Sequence, residues 1–420
     1  MARTTSPYPP AQARLRRGWA ILAVTSLGFL LSLFYRVSTA VISPQLAAEL
    51  SLTSAQLGSL AAAFFYVFAA SQIPLGWIMD RAGIRPTMTV LGLVGVAGAV
   101  LFGAAHTYQQ AWLGRALLGL GMSCNLMGIF ALLAAWFPAD RFAFLAGLVT
   151  ALGTLGNLAA ATPLALLSQT LGWRGSFWAV AALNLLQVAA MFLVVRDRPP
   201  DTPRPAASGK GDWRQALSLF ASYHYWAISL STFVRYGFFV ALQGLWAGPF
   251  LIYGLGLDPV QAGNGILCLG LGIMLGMPFM GRLSDRWLGT RRGVIWPSLA
   301  LMGLLVLGMA FWPQGIPLWL VYAWLFILGF AAGPGQIMYA HIKELVPGTL
   351  TARAMTWVNL FTMLGGAVFS QLLGWVIGGE PASLHGPAGF RPVWFLGAGC
   401  LFLVTILYYL TREPQRPGQE

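Results

Sequence analysis

Long apolar runs separated by short polar breaks set the pattern of this chain. Runs near residues 18–46, 55–78, 87–106, 110–136, 142–168 and 174–195 are followed by a polar stretch. Further runs lie near 225–254, 259–283, 292–312, 317–341, 350–378 and 390–411. A hydrocarbon core of about 30 Å needs about 20 apolar residues in a helix. Barrel strands would alternate polar and apolar side chains, and these runs do not. The pattern therefore predicts an all-α membrane protein of about twelve spans, because helices satisfy their own backbone groups in lipid.

Certain marks occur twice. Gly76-Trp-Ile-Met-Asp80-Arg81-Ala-Gly83-Ile-Arg85 follows the second run, and Gly281-Arg-Leu-Ser-Asp285-Arg286-Trp-Leu-Gly289-Thr-Arg291-Arg292 follows the eighth. Pro138, Asp140 and Arg141 open the loop after span four, as Pro347 and Arg353 do after span ten. Span six begins Gly172-Trp173-Arg174, and span twelve begins Gly389-Phe390-Arg391. The chain reads as a duplication: a first six-helix bundle over 1–195, a cytoplasmic linker over 196–224 and a second bundle over 225–420. The linker holds Pro199, Pro200, Pro203, Pro205 and Lys210, and a short surface helix is expected near Trp213 to Tyr223.

Composition agrees with this layout. Of the 420 residues, 57% are hydrophobic and 9% charged, against roughly 25% charged in soluble domains. The net charge of +13 is spread over alternate loops, from Arg14, Arg16 and Arg17 to Arg412 and Arg416, with Arg174 and Arg391 as exceptions. That is the positive-inside pattern, with both termini cytoplasmic; a nucleic-acid surface would concentrate the charge. The first run is too long for a signal peptide and reads as a retained helix. Cys124, Cys268 and Cys400 are far apart, lie within runs and fit no metal spacing. No cofactor is expected, and the nucleophile, phosphate-loop and zinc patterns of enzymes do not occur.

The paired Gly-x-x-x-Asp-Arg loops and the Gly-Trp-Arg start of span six resemble the major facilitator superfamily over nearly the whole chain. The resemblance implies a monomeric carrier working by alternating access. It implies a role in closing the cytoplasmic face for Asp80, Arg81, Arg85, Asp285 and Arg286, with Arg141 and Arg353 in the adjoining loops. On charge alone these arginines could serve topology only.

Ionisable residues within spans are costly and draw attention. Arg36 lies past the middle of span one and Arg235 near the middle of span seven, its counterpart, while every carboxylate maps to a loop or span end. A pseudo-twofold would face the two guanidinium groups across a central cavity lacking counter-charge, where an anion would be welcome. Carbonyl bonding or snorkelling stays open for each. The pair resembles the organophosphate/phosphate antiporters and, more loosely, the anion:cation symporters. The lysine of span two in those antiporters is replaced by Gln72, and span five has no histidine. Arg115 in span four matches a superfamily motif tied to proton coupling, or else contacts carbonyls; His341 could titrate. The absence of a mid-span acid disfavours cation/proton exchange. Tyr35, Tyr66, Gln72, Asn125, Asn157, Gln243, Gln336, Tyr339 and Asn359 are candidates to fit a solute, and each could equally bridge helices. The expectation is a secondary transporter of a small organic anion, a carboxylate or phosphate ester, in the inner or plasma membrane, with a proton or anion as coupling ion. A non-transporting anion sensor and an exporter of amphiphiles are the alternatives.

Overall fold

The computed structural model describes residues 11–199, 218–347, 350–379 and 386–413. The side chains of Asp80, Asp140 and Arg353 and most of the expected linker, with its surface helix, lie outside the described residues.

Among the described residues, eleven helices long and apolar enough to cross a membrane and one shorter apolar helix, Phe144–Ala159, are arranged as two bundles of six. In the first, α1 (Ala11–Val37 continued by Thr39–Leu50), α2 (Ser54–Ala82), α3 (Ile84–Gly103) and α4 (Tyr108–Met122 and Asn125–Trp136) lead to α5 (Ala139–Ala159 and 162–171) and α6 (173–194). The helix Thr162–Val194 changes direction at Gly172, whose φ of 67° divides span five from span six. In the second bundle, α7 (Tyr223–Ala241) runs on through π-helical turns at Leu242–Trp246 and Phe250–Gly254. Then come α8 (Pro259–Arg282, with a π-turn at Leu283–Trp287), α9 (Arg292–Met309), α10 (Leu318–Ala331 and Gly335–Leu345), α11 (Thr351–Ile377) and α12 (Arg391–Tyr409).

Local chemistry repeats with the duplication. Helix α2 starts on a capping box in which Thr53 Oγ1 accepts from Gln56 N at 3.2 Å and Gln56 Oε1 accepts from Thr53 N at 2.9 Å. Helix α8 starts on its counterpart, Asp258 with Gln261. The third helix of each bundle is held at both ends by residues flanking the sixth. At one end Asp197, just after α6, accepts the backbone N–H of Ile84 at 3.1 Å and of Arg85 at 2.6 Å. Glu413, just after α12, accepts from Arg291 N and Arg292 N in the same way. At the other end Arg174 donates to Ala105 O at 2.8 Å, and Arg391 donates to Ala310 O at 3.1 Å. Anions thus sit at the N-termini of α3 and α9 and cations beyond their C-termini, complementing both dipoles. This gives the two arginines that break the loop-charge pattern a structural role.

The bundles meet at the arginine-poor end and part toward the arginine-rich end. The seam is made of glycines: a Cβ at Gly58 or Gly374 would strike the backbone of the opposing α11 or α2. A Cβ at Gly248 would strike the Ala40 carbonyl of α1, and one at Gly263 would crowd Thr162 of α5. Small residues let helix backbones approach within van der Waals range, the main attraction available where lipid is as apolar as the side chains. Ser54 N donates to Gly379 O at 2.8 Å, and Thr162 Oγ1 to Asn264 Oδ1 at 2.7 Å, tying the same end. Toward the other end, Gly76 of α2, Gly147 of α5 and Gly281 of α8 face open space, and Trp77, Phe144, Phe279 and Trp287 are exposed.

Breaking the seam should be visible. In a cysteine-free background, Val37→Cys, buried here at 1% exposure, should resist an impermeant maleimide added from the arginine-poor side. Gly248→Val should expose it to labelling; unchanged protection would contradict the role given to that glycine.

Candidate functional site

Among the described residues, three arginines lie away from the span ends, and the structure gives them different surroundings. Arg115 of α4 is fully buried; its Nη1 donates to Tyr35 O at 2.7 Å, just before α1 breaks at Ser38, and its guanidinium lies 5.1 Å from the Phe64 ring. Arg235 of α7 is 5% exposed and donates to Ala332 O at 2.6 Å, where α10 breaks before Gly335. A Cβ at Gly335 would collide with that guanidinium. Both side chains therefore donate to a carbonyl beside a helix break, each within its own bundle; the Tyr35 carbonyl also accepts from Ser38 Oγ at 3.2 Å.

Arg36 differs. It is half-buried, and its Nη1 donates to the phenol oxygen of Tyr236 at 2.8 Å, from the first bundle to the second. Phe68 and Phe65 lie 5.1 and 6.0 Å from its guanidinium carbon. Such ring faces stabilise the cation without neutralising it. Its Nε is buried and has no partner, and the same holds for Arg115 Nε and Nη2 and for Arg235 Nε; what sets Arg36 apart is the bond across the bundles. The expected arrangement, two guanidinium groups facing each other, is thus not what the fold builds: Arg235 turns toward α10, while its neighbour Tyr236 meets Arg36 across the seam.

No carboxylate meets any of the three among the described residues. Glu49 pairs with Arg174 at 3.0 Å; Asp285 and Glu344 both pair with Arg291, the latter at 2.8 Å; Asp197, Asp258 and Glu413 cap helices. An arginine at a helix centre costs at least about 2.5–3.5 kcal/mol on insertion scales, so a site with an unanswered guanidinium favours an anion.

The polar candidates divide into groups. Tyr66, 38% exposed, donates to Gln371 Oε1 at 3.1 Å across the bundles. Tyr339 bonds Thr362 at 2.9 Å and Asn359 at 3.2 Å, beside Arg235. Gln336 is exposed. Gln243, on the first π-turn of α7, is 2% exposed with Nε2 unpartnered, and Asn157 Oδ1 is likewise buried and unpartnered. Gln243 belongs to the junction of α5, α7 and α8, where a Cβ on Gly270 would meet Leu158 and Gln243 Nε2 at 3.0 and 3.3 Å. Tyr35 and Asn125 lie inside the first bundle, 0% and 7% exposed, and Gln72 donates to Ser123 O at 3.2 Å. His341 is fully buried between Tyr408 Oη at 2.6 Å and Arg412 O at 2.9 Å.

The model of the Major Facilitator Superfamily matches residues 24–248 and 228–420. The chain belongs to that superfamily. As a member it is a transporter and not an enzyme. It is 27% identical to the probable sulfoacetate transporter SauU of Cupriavidus necator over 65% of this chain and 66% of that one. It is 25% identical to the membrane sensor protein UhpC of Salmonella typhimurium over 94% of this chain and 92% of that one. Among solved structures it resembles a bacterial homologue of the human lysosomal transporter Spinster in an inward-facing, unoccupied conformation. The TM-score there is 0.77 at 18% identity, covering 94% of this chain and 96% of that one, a likeness of fold.

The loop residues of this superfamily member are placed as follows. Arg291, rather than Arg286, pairs with Asp285, and it also donates to Glu344; the bond to that carboxylate raises its pKa and holds the charge. Arg286 and Arg141 are exposed. Arg81 lies 4.0 Å over the Trp77 ring and Arg85 4.5 Å over Phe192. Asp80 and Arg353 lie outside the described side chains. Sequence reading missed Tyr236, Asp197 and Glu413. The acids were legible in the repeat Arg196-Asp197-Arg198-Pro199 and Arg412-Glu413-Pro414 after spans six and twelve. Tyr236 had no signal beyond adjacency to Arg235.

The cap at α3 is testable apart from transport. Asp197→Ala should cost about 1 kcal/mol of stability in unfolding, and Asp197→Asn much less. Equal losses for both would mean that the carboxylate charge, not the cap geometry, matters.

Proposed function

We propose that the protein carries a small organic anion with one carboxylate or sulfonate head by alternating access, and that Arg36 holds that head. The observation that carries the reading is the Arg36–Tyr236 bond: of the three arginines away from the span ends, this one hydrogen-bonds a side chain of the other bundle, and it has no counter-ion among the described residues. The phenol takes one guanidinium N–H and Nε has no partner, which leaves donors that a planar anion can use once the bundles shift. Loading the anion supplies the charge the seam lacks. The unpaired amide atoms of Gln243 and Asn157 suit a hydroxyl or second polar group on the same solute. Similarity to a protein named for sulfoacetate transport supports an anionic cargo.

Placing the arginine-rich end in the cytoplasm makes this an inward-open state of a cytoplasmic-membrane carrier. The two bundles then rock about the seam. Residues 1–195 and 225–420 act as the moving bodies. Arg291, Asp285 and Glu344, with Arg81, Arg85, Arg141 and Arg286, line the face that closes in the alternate state. A sensor of the same anion is the second reading, favoured by the likeness to UhpC over most of both chains.

Binding comes first. In thermal-shift titrations, a hydroxylated monocarboxylate or a sulfonate should stabilise the wild type. Arg36→Gln should lose at least tenfold in affinity, while Tyr236→Phe, which frees the guanidinium, should bind as tightly or tighter. If Arg36→Gln keeps the shift, or only neutral and cationic compounds produce one, the assignment of Arg36 is wrong.

A further inference from the structure

The two bundles use their buried arginines in mirror fashion. In the second, Arg235 on the first helix of the bundle, α7, reaches the break in its fourth helix, α10, and donates to Ala332 O at 2.6 Å. In the first, Arg115 on the fourth helix, α4, reaches the break in its first helix, α1, and donates to Tyr35 O at 2.7 Å. With Arg115 at that break, Arg36 of α1 is left to face the other bundle, where it meets Tyr236 at 2.8 Å.

Arg115 touches the surroundings of Arg36 by two routes. The first is the chain itself. Tyr35 precedes Arg36; its carbonyl is held by Arg115 and its ring packs on Phe177 of α6, centroids 6.1 Å apart. Consecutive helical residues point about 100° apart, so a fixed Tyr35 sets the direction in which Arg36 leaves the helix. The second route is a row of rings on α2. The Arg115 guanidinium lies 5.1 Å from the centre of Phe64, and Phe64 stacks on Phe68 with centroids 6.0 Å and planes 22° apart. Phe68 in turn lies 5.1 Å from the Arg36 guanidinium. Phe64 also meets Phe65 edge-on at 5.4 Å, and Phe65 lies 6.0 Å from Arg36. The two cations hold one aromatic row from opposite ends, and each is attracted to the ring it faces.

Stability alone does not account for an arginine at this position. Arg115 is fully buried, and its Nε and Nη2 have no partner. A buried charge so incompletely bonded is commonly no better for stability than an apolar side chain of similar volume. The Tyr35 carbonyl keeps a second donor, Ser38 Oγ at 3.2 Å. What is left for Arg115 to supply is the aim of Arg36.

We propose that Arg115 is a positioning residue for anion binding: it orients the Arg36 guanidinium through Tyr35 and through the Phe64–Phe68 row. This rests on the assignment of the anion's head to Arg36. A guanidinium grips a planar anion through two parallel N–H bonds and so needs a set orientation, whereas an ammonium acts as a point charge and does not.

The test is a double-mutant cycle on the full-length protein, read by isothermal titration and by thermal unfolding. The probes are lactate, gluconate and 2-hydroxyethanesulfonate. Arg115→Met should unfold at the wild-type temperature or above it, yet bind the probe about tenfold more weakly. In the Arg36→Lys background the same substitution should change affinity less than about twofold, because an ammonium has no orientation to lose. Phe68→Leu keeps Arg115 and Tyr35 in place and removes the ring face; it should weaken binding in the wild type and be silent beside Arg36→Lys, and it carries the test if Arg115→Met does not fold. Undiminished affinity in both Arg115→Met and Phe68→Leu would overturn the proposal. So would an equal loss from Arg115→Met in the two backgrounds, which would mean that Arg115 acts by its charge alone. Wild-type affinity in Arg36→Lys, or no binding of any probe by the wild type, would remove the Arg36 assignment itself and the proposal with it.

Discussion

A cation inside a bilayer needs an answer, and the way each spanning arginine is answered organises this molecule. Arg115 and Arg235 are answered by backbone carbonyls beside helix breaks, one at the α1 break and one at the α10 break. At the α10 break the arginine and the break explain one another, since the Ala332 carbonyl and the Arg235 guanidinium each supply the other's partner; at the α1 break Arg115 shares the Tyr35 carbonyl with the Ser38 hydroxyl. Arg36 is answered by a phenol of the other bundle and two ring faces. None of the three has a counter-ion among the described residues, and Arg36 alone of them stands where the bundles touch, which gives the fold a reason to bind an anion there.

The rest of the architecture keeps that arrangement in register. Each bundle is braced through its third helix, with an acid after the sixth helix at one end and an arginine at its start at the other. Across the bundles there are few polar ties and a seam of glycines, so the interface depends on close backbone approach rather than on bonds that would be costly to break. Strong bonds within bundles and weak ones between them are what rigid-body rocking requires.

Much of this was legible in the sequence, for physical reasons. Spans follow from hydrophobic length, and the twofold repeat from marks that serve helix ends, such as Gly172-Trp173-Arg174 and Gly389-Phe390-Arg391. The candidate site was legible only in part. Spacing put Arg36 and Arg235 at equivalent positions, but it could not show that the α10 break would draw Arg235 away and leave Tyr236 in its place. Nor could periodicity show that Tyr35, Asn125 and His341 sit inside their bundles. The direction of a polar side chain on a buried helix is decided by neighbouring helices, and local sequence carries little of that information.

The account turns on whether an anion crosses the membrane by way of Arg36. Counterflow in proteoliposomes measures this directly: vesicles loaded with an unlabelled hydroxycarboxylate or sulfonate that binds the protein are diluted into a trace of the same labelled compound. The account predicts transient accumulation of label by the wild type and none by Arg36→Gln. Binding of the anion without any flux in the wild type would make the protein a sensor, and undiminished flux in Arg36→Gln would contradict the central claim.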